Sequence, residues 1–159
     1  MIVGTLIDMG QELSAVRPQG CTHMKVRQLS RLVGRYYDEA HGQATGLKST
    51  QYALLSFVLK LGPLRPGDLA AAMRLDASTL SRNLQPLVAQ GWVRQLPGED
   101  ARSRLVEITD EGRAVREQSQ RAWKKAQLKV NAVLGAERVV ALHALLDDCI
   151  GLLQAAEDA

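Results

Sequence analysis

The stretch from Leu69 to Gly91 limits what this chain can fold into more than any other. On a wheel of 3.6 residues per turn, Leu80, Leu84, Leu87 and Val88 share one side, while Ser78, Thr79, Ser81, Arg82, Asn83 and Gln85 share the other. A helix of this kind is held down by one face and presents small polar groups on the opposite one. Just before it, Leu69, Ala70 and Met73 make a short apolar stripe ending near Arg74, and Asp76 supplies a side-chain acceptor suited to capping a new helix. The spacing predicts a helix, a tight turn and a second helix. Pro86, which has no amide for the carbonyl of Arg82, predicts a mild kink in that second helix, and Gly91 predicts its end.

Two short strand-like segments follow, Trp92 to Leu96 and Leu105 to Ile108, joined through Pro97-Gly98-Glu99-Asp100-Ala101-Arg102-Ser103-Arg104. A hairpin with Arg102 and Arg104 at its tip, beside a polar helix, makes a winged helix-turn-helix. Ser, Thr, Arg and Asn on one exposed face have a definite chemical use: Arg bonds guanine bidentately, Asn bonds adenine, and the hydroxyls and helix N-terminal amides hold phosphate oxygens. The expected interface is therefore Ser78, Thr79, Ser81, Arg82, Asn83 and Gln85 in a major groove. Arg102, held by Asp100, and Arg104 would reach the minor groove or the backbone alongside. An ordinary solvated surface helix is the bland alternative for the polar face.

The runs Leu75-Asp76-Ala77-Ser78-Thr79-Leu80-Ser81-Arg82-Asn83-Leu84, Gly91-Trp92-Val93, and Asp100-Ala101-Arg102-Ser103-Arg104 leading to Ile108-Thr109-Asp110-Glu111-Gly112-Arg113 resemble the multiple-antibiotic-resistance regulator (MarR) family. Its hallmark is an Asp-x-Arg wing followed by Leu-Thr or Ile-Thr and a Gly-Arg helix start. With Gly46 to Leu55, the resemblance runs from about residue 21 to the end. It implies a homodimer with interlocked first and last helices, and double-stranded DNA as partner. It also implies a small aromatic carboxylate or phenol as effector, or an oxidant sensed by a cysteine near the first helix. Where the family usually places Ser or Thr at the cap before Pro66, this chain has Arg65, a cation in place of a hydroxyl.

The rest of the chain reads as helix. Val26, Leu29, Leu32/Val33 and Tyr36/Tyr37 recur at helical spacing, with Lys25, Arg27, Arg31 and Arg35 on the other face. A second helix spans Lys48 to Leu61 and ends at Gly62-Pro63; Pro66 opens the next one. After the wing, Thr109 caps a long helix to about Leu134, with an apolar line of Trp123, Gln127, Val130 and Val133/Leu134. Gly135 separates it from a last helix whose Val139, Leu142, Leu145/Leu146, Cys149, Ile150 and Leu153 form a wide apolar face. The expected fold is mainly α, with residues 1–20 as an N-terminal arm and 21–46 as a first dimerisation helix. Residues 47–108 form the winged DNA-binding domain, and 109–159 the C-terminal dimerisation helices.

Composition bounds the partners. The net charge of the 159 residues is only +3, so any positive field must be local; between Lys60 and Arg104 seven basic residues face four acidic ones. Cys21 and Cys149 fit no zinc spacing or disulfide framework, which suits a reducing cytoplasm, and no span of ~18 apolar residues is expected anywhere, so no membrane insertion is expected. His23, His41 and His143 are scattered singly, with no nucleophile–base grouping and no phosphate loop, so neither an enzyme nor a cofactor is expected.

An anionic aromatic effector needs a cation, a hydrogen-bonding group and apolar walls. His23 and Arg27, one helical turn apart, with Tyr52 and Trp92 as walls, are the candidates; packing roles for Tyr52 and Trp92 are the alternative. Cys21 invites a redox reading. In the organic-hydroperoxide-sensing branch, however, the reactive thiol would stand where this chain has His23, and Ser49 and Thr50 replace that branch's tyrosine. The alternatives are thus a cysteine-based oxidant sensor, or a winged-helix adaptor that binds protein without DNA.

Overall fold

The computed structural model describes residues 19–98 and 103–159. The chain divides between Val33 and Gly34 into two compact units. In chain order the elements are α1 (Thr22–Thr45), α2 (Ser49–Leu61), α3 (Pro66–Met73), α4 (Ala77–Ala89), β1 (Val93–Pro97), β2 (Arg104–Ile108), α5 (Asp110–Leu134) and α6 (Ala136–Glu157). The fold is mainly helical with one two-stranded sheet, as the sequence predicts.

Residues 19–33 carry the first half of α1, where Met24, Val26 and Leu32 are all exposed. In the second unit side chains cap the starts of α2, α4 and α5. Asp38 Oδ1 accepts from both the amide and the hydroxyl of Ser49, at 2.8 and 2.6 Å, and so caps α2 from α1. Pro66 opens α3 after Arg65. That helix closes on Arg74, a non-glycine residue in the left-handed region (φ 51°), whose amide returns to the carbonyls of Ala70 and Ala71. Two residues later Asp76 caps α4, so the turn between the two helices is short. Pro86 lies inside α4, which continues through it as one helix to Ala89.

Strands β1 and β2 pair antiparallel from Val93↔Ile108 to Pro97↔Arg104. Leu64, in the α2–α3 connection, adds an antiparallel bridge to Val106 through two backbone hydrogen bonds, 2.8 and 3.2 Å. Leu47, Leu54, Leu55, Val58, Leu69, Leu80, Leu84, Leu87, Val93, Val106 and Ile108 form one buried cluster, drawing α2, α3, α4 and both strands onto a common core. The polar face of α4 is therefore fixed by the packing behind it.

Thr109 joins wing, turn and α5. Its hydroxyl donates to the carbonyl of Gly91 (2.7 Å) and accepts from the amide of Gly112 (3.1 Å), while its own amide donates to the carbonyl of Trp92 (3.0 Å). Gly112 is buried in this joint, and a Cβ there would collide with the Trp92 carbonyl and meet Ile108 Cγ1 at 2.9 Å. Gly112→Ala is accordingly expected to destabilise the protein by about 1–3 kcal/mol, despite alanine's better helix propensity, because backbone must move. Denaturant unfolding checks this; an unchanged or raised midpoint would refute it.

Two expectations change. The buried line of α5 is Ser119, Ala122, Ala126 and Val130, whereas Trp123 is 37% and Val133 66% exposed. Small side chains let the second half of α1 lie close along α5, where Thr45 Oγ1 and Ser119 Oγ share a 2.7 Å hydrogen bond and Tyr37 donates to Gln127 Oε1 at 2.6 Å. Helix α6 is long and apolar enough to cross a membrane by length and composition, contrary to the expectation of no such span. Between Val139 and Ala156 only the adjacent Asp147 and Asp148 interrupt its uncharged run.

Candidate nucleic-acid interface

The start of α4 is organised by one carboxylate. Asp76 Oδ1 accepts from the Thr79 amide (2.8 Å) and from Ser78 Oγ (2.5 Å), and Oδ2 accepts from Thr79 Oγ1 (2.7 Å). These donors, the two hydroxyls first, hold the Asp76 carboxyl far below the usual carboxylate range. One turn on, Arg82 lies along the helix, donating from Nε to the carbonyl of Ser78 and from Nη2 to Thr79 Oγ1, both at 3.3 Å. Bonds of that length hold the guanidinium lightly, and Arg82 is exposed.

Ser78, Ser81, Arg82 and Gln85 are exposed, and Thr79 is half-buried. Asn83, expected to meet a base, is turned toward its own subunit: Nδ2 donates to the carbonyl of Thr79 at 2.9 Å, and Oδ1 accepts from Thr50 Oγ1 at 3.4 Å. Its position at the edge of the polar face brings it to the start of α2, a role the helical wheel does not distinguish from a groove-facing one.

On the wing, Arg104 is exposed, while Asp100 and Arg102 lie outside the described residues. Arg94 was not singled out in the sequence. It pairs across the strands with Glu107, Nε and Nη2 both on Oε2 at 2.7 and 2.6 Å, so part of the local positive charge is already matched. The signal was present in the strand register, Arg94 facing Glu107.

Among the effector candidates, His23 and Arg27 are exposed on α1 in the first unit. Tyr52 stacks on His41 (centroids 4.7 Å apart, planes at 26°), and the Arg116 guanidinium lies 5.6 Å from its ring centre. Trp92 is half-buried against the core at the base of the wing. Cys21 and Cys149 are both exposed; Cys149 belongs to the uncovered face of α6.

A groove of about 490 Å³ lies elsewhere, between the second half of α1 and α5. Ala40, Ala44, Ala122 and Ala126 line it together with Arg121, Lys125 and Lys129. Three cations spaced four apart on one helix, beside alanines with the same spacing, are a pattern the sequence carries but the sequence reading does not single out.

His41 is 1% exposed, and neither ring nitrogen has a hydrogen-bond partner among the described residues. Burial lowers its pKa, opposed by the nearby Asp38 carboxylate. A histidine with a depressed folded pKa contributes fully above its unfolded value of about 6.5, and stability is lost as pH falls below it. Thermal melts of wild type and His41→Phe at pH 7.5 and 5.5 are expected to show the larger acid loss in wild type; equal losses would remove His41 from the acid response.

Residues 45–103 match the model of the MarR family. The multiple antibiotic resistance protein MarR of Salmonella typhimurium is 31% identical over 102 residues, 63% of this chain and 71% of that protein. The uncharacterized HTH-type transcriptional regulator YwoH of Bacillus subtilis is 30% identical over 87 residues, covering 55% of this chain and 63% of that protein's length. Among solved structures, the M. tuberculosis transcriptional regulator MosR in complex with DNA superposes with a TM-score of 0.64 at 29% identity, over 82% of this chain and 98% of that one. The wing built on a helix-turn-helix and the polar face of α4 agree with these likenesses: the chain belongs to the MarR family and is a winged-helix transcriptional regulator, not an enzyme.

Proposed function

We propose that this regulator acts in the cytoplasm as a homodimeric repressor that grips a near-palindromic operator and lets go when a small ligand binds. The carrying observation is the face of α4: Ser78, Arg82 and Gln85 stand exposed on a helix whose other side, Leu80, Leu84 and Leu87, is locked in the core. Such a face enters a major groove as a rigid body, and in the DNA complex of MosR a structurally similar chain is bound to DNA. Residues 47–108 form the DNA-binding part in this reading. The helices of 21–46 and 109–159 pair two copies, so that two α4 helices lie about 34 Å apart, one turn of the duplex; the N-terminal arm expected for 1–20 lies almost wholly outside the described residues. Support for pairing comes from α6, whose Val140, Leu145, Ile150, Leu152 and Leu153 are each at least half exposed. The groove between α1 and α5, with alanine walls, the cations Lys125 and Lys129, Arg121 paired with Glu117, and one carboxylate, Glu39, in its lining, suits a small anion with an apolar body as the releasing ligand.

Mobility-shift titration of a selected operator against random duplex, at two salt concentrations, tests the reading. Each neutralised phosphate contributes about −0.9 to the log–log salt slope, so a flat response would favour a protein–protein adaptor. Arg82→Ala is expected to weaken operator binding by about 1–3 kcal/mol and to relax base preference; an equal loss on random DNA would reassign Arg82 to phosphate contact.

A further inference from the structure

The hydrogen bonds at the start of α4 have a direction, and that direction limits what the helix reads. Asp76, held ionised by its three donors, has no proton to give. Ser78 and Thr79 each use their single O–H on it, which leaves only oxygen lone pairs for any outside partner, one of those on Thr79 already accepting from Arg82 Nη2 at 3.3 Å. One turn on, Pro86 has no N–H to donate to the carbonyl of Arg82, so no further donor is added there. Apart from the guanidinium of Arg82, this part of the face is acceptor-rich.

A phosphate oxygen is itself a charged acceptor. It finds no donor in either hydroxyl and a carboxylate immediately behind both. In the major groove the donors are the exocyclic amino groups, N4 of cytosine and N6 of adenine. We propose that Asp76 is the positioning residue for base selection, holding the hydroxyls of Ser78 and Thr79 as acceptors so that the start of α4 selects a cytosine or adenine amino group. On this assignment the two hydroxyls do not hold backbone phosphate. The inference rests on the reading of α4 as the groove-entering helix and adds the chemical class of its contact.

The test uses the full chain. Wild type, Asp76→Asn and Thr79→Val each select from a random duplex library. The wild-type site is then rebuilt with single cytosines or adenines replaced by analogues lacking the amino group. One such replacement per half-site is expected to weaken wild-type binding roughly tenfold, and to cost nothing further in Thr79→Val or Ser78→Ala. In Asp76→Asn the amide Nδ2 takes the place of Oδ2 and donates to Thr79 Oγ1, turning that O–H outward. Its preferred base at the same position is expected to move to thymine or guanine, whose O4 and O6 are acceptors.

An unchanged preference in folded Asp76→Asn overturns the assignment, as does wild-type binding that stays within about twofold for every analogue. Should Asp76→Asn fail to fold by thermal melting, Thr79→Val and Ser78→Ala decide through the analogue coupling, since both retain the bond from the Thr79 amide to Asp76. If wild type enriches no sequence at all, the reading of α4 itself falls and this one with it; enrichment without coupling overturns this one alone.

Discussion

Leu87→Ala is expected to lower the unfolding free energy by about 2–5 kcal/mol, which for a chain of this size moves the melting midpoint by roughly 10 °C. Leu87 is fully buried, in a core shared by α2, α3, α4 and both strands. Removing its branch leaves a void that several elements border, so no single one can close it. The consequence reaches function because Leu87 is on the same helix as Ser78, Arg82 and Gln85. Just past the helix end, the carbonyl of Leu87 accepts from the Trp92 amide at 2.9 Å, at the base of the wing. Gln85→Ala, on the exposed side of α4, is the control, expected to stay within about 0.5 kcal/mol of wild type in stability. Thermal melts at matched protein concentration distinguish the two; a Leu87→Ala protein that melts with Gln85→Ala would mean that α4 is not held by this core.

The apolar spacing of Leu80, Leu84 and Leu87 was sufficient to read both the helix and its buried side, because burial and the 3.6-residue period express the same geometry. The caps at Asp76 and Thr109 were legible for a similar reason: the acceptor and the amide it meets are three residues apart in the chain. Contacts between residues distant in sequence were not. Nothing local announces that Thr50 reaches Asn83, that Leu64 bridges Val106, or that Asp38 caps the helix beginning at Ser49. In α5 the apolar line was sought in large residues, and the structure buries Ser119, Ala122 and Ala126 instead, since close helix approach favours small side chains over hydrophobic bulk. The direction of the Ser78 and Thr79 hydroxyls depends on a carboxylate that the wheel places off the helix altogether.

A charge placed in the apolar face of α6 is expected to have the largest effect on operator binding while sparing the fold of the single chain. Leu146 and Ile150 are 37% and 50% exposed, one turn apart, on a helix whose only buried residue is Val139. In one copy an aspartate at either position meets solvent, so the stability of the isolated chain changes by little. In a pair of copies the same side chain is desolvated without a partner, and two-fold symmetry introduces it twice. On the proposed pairing, Leu146→Asp/Ile150→Asp is therefore expected to sediment as a monomer and wild type, at the same concentration, as a dimer. Two linked α4 helices bind two half-sites with an effective concentration in the millimolar range, and separating them forfeits about 10²–10⁴ in affinity for the full operator. Binding to a single half-site should change much less, which separates loss of pairing from damage to the reading helix. Sedimentation and full-site against half-site titrations decide the matter: a double variant that remains dimeric and holds the full operator as wild type does would show that α6 is not where the copies meet.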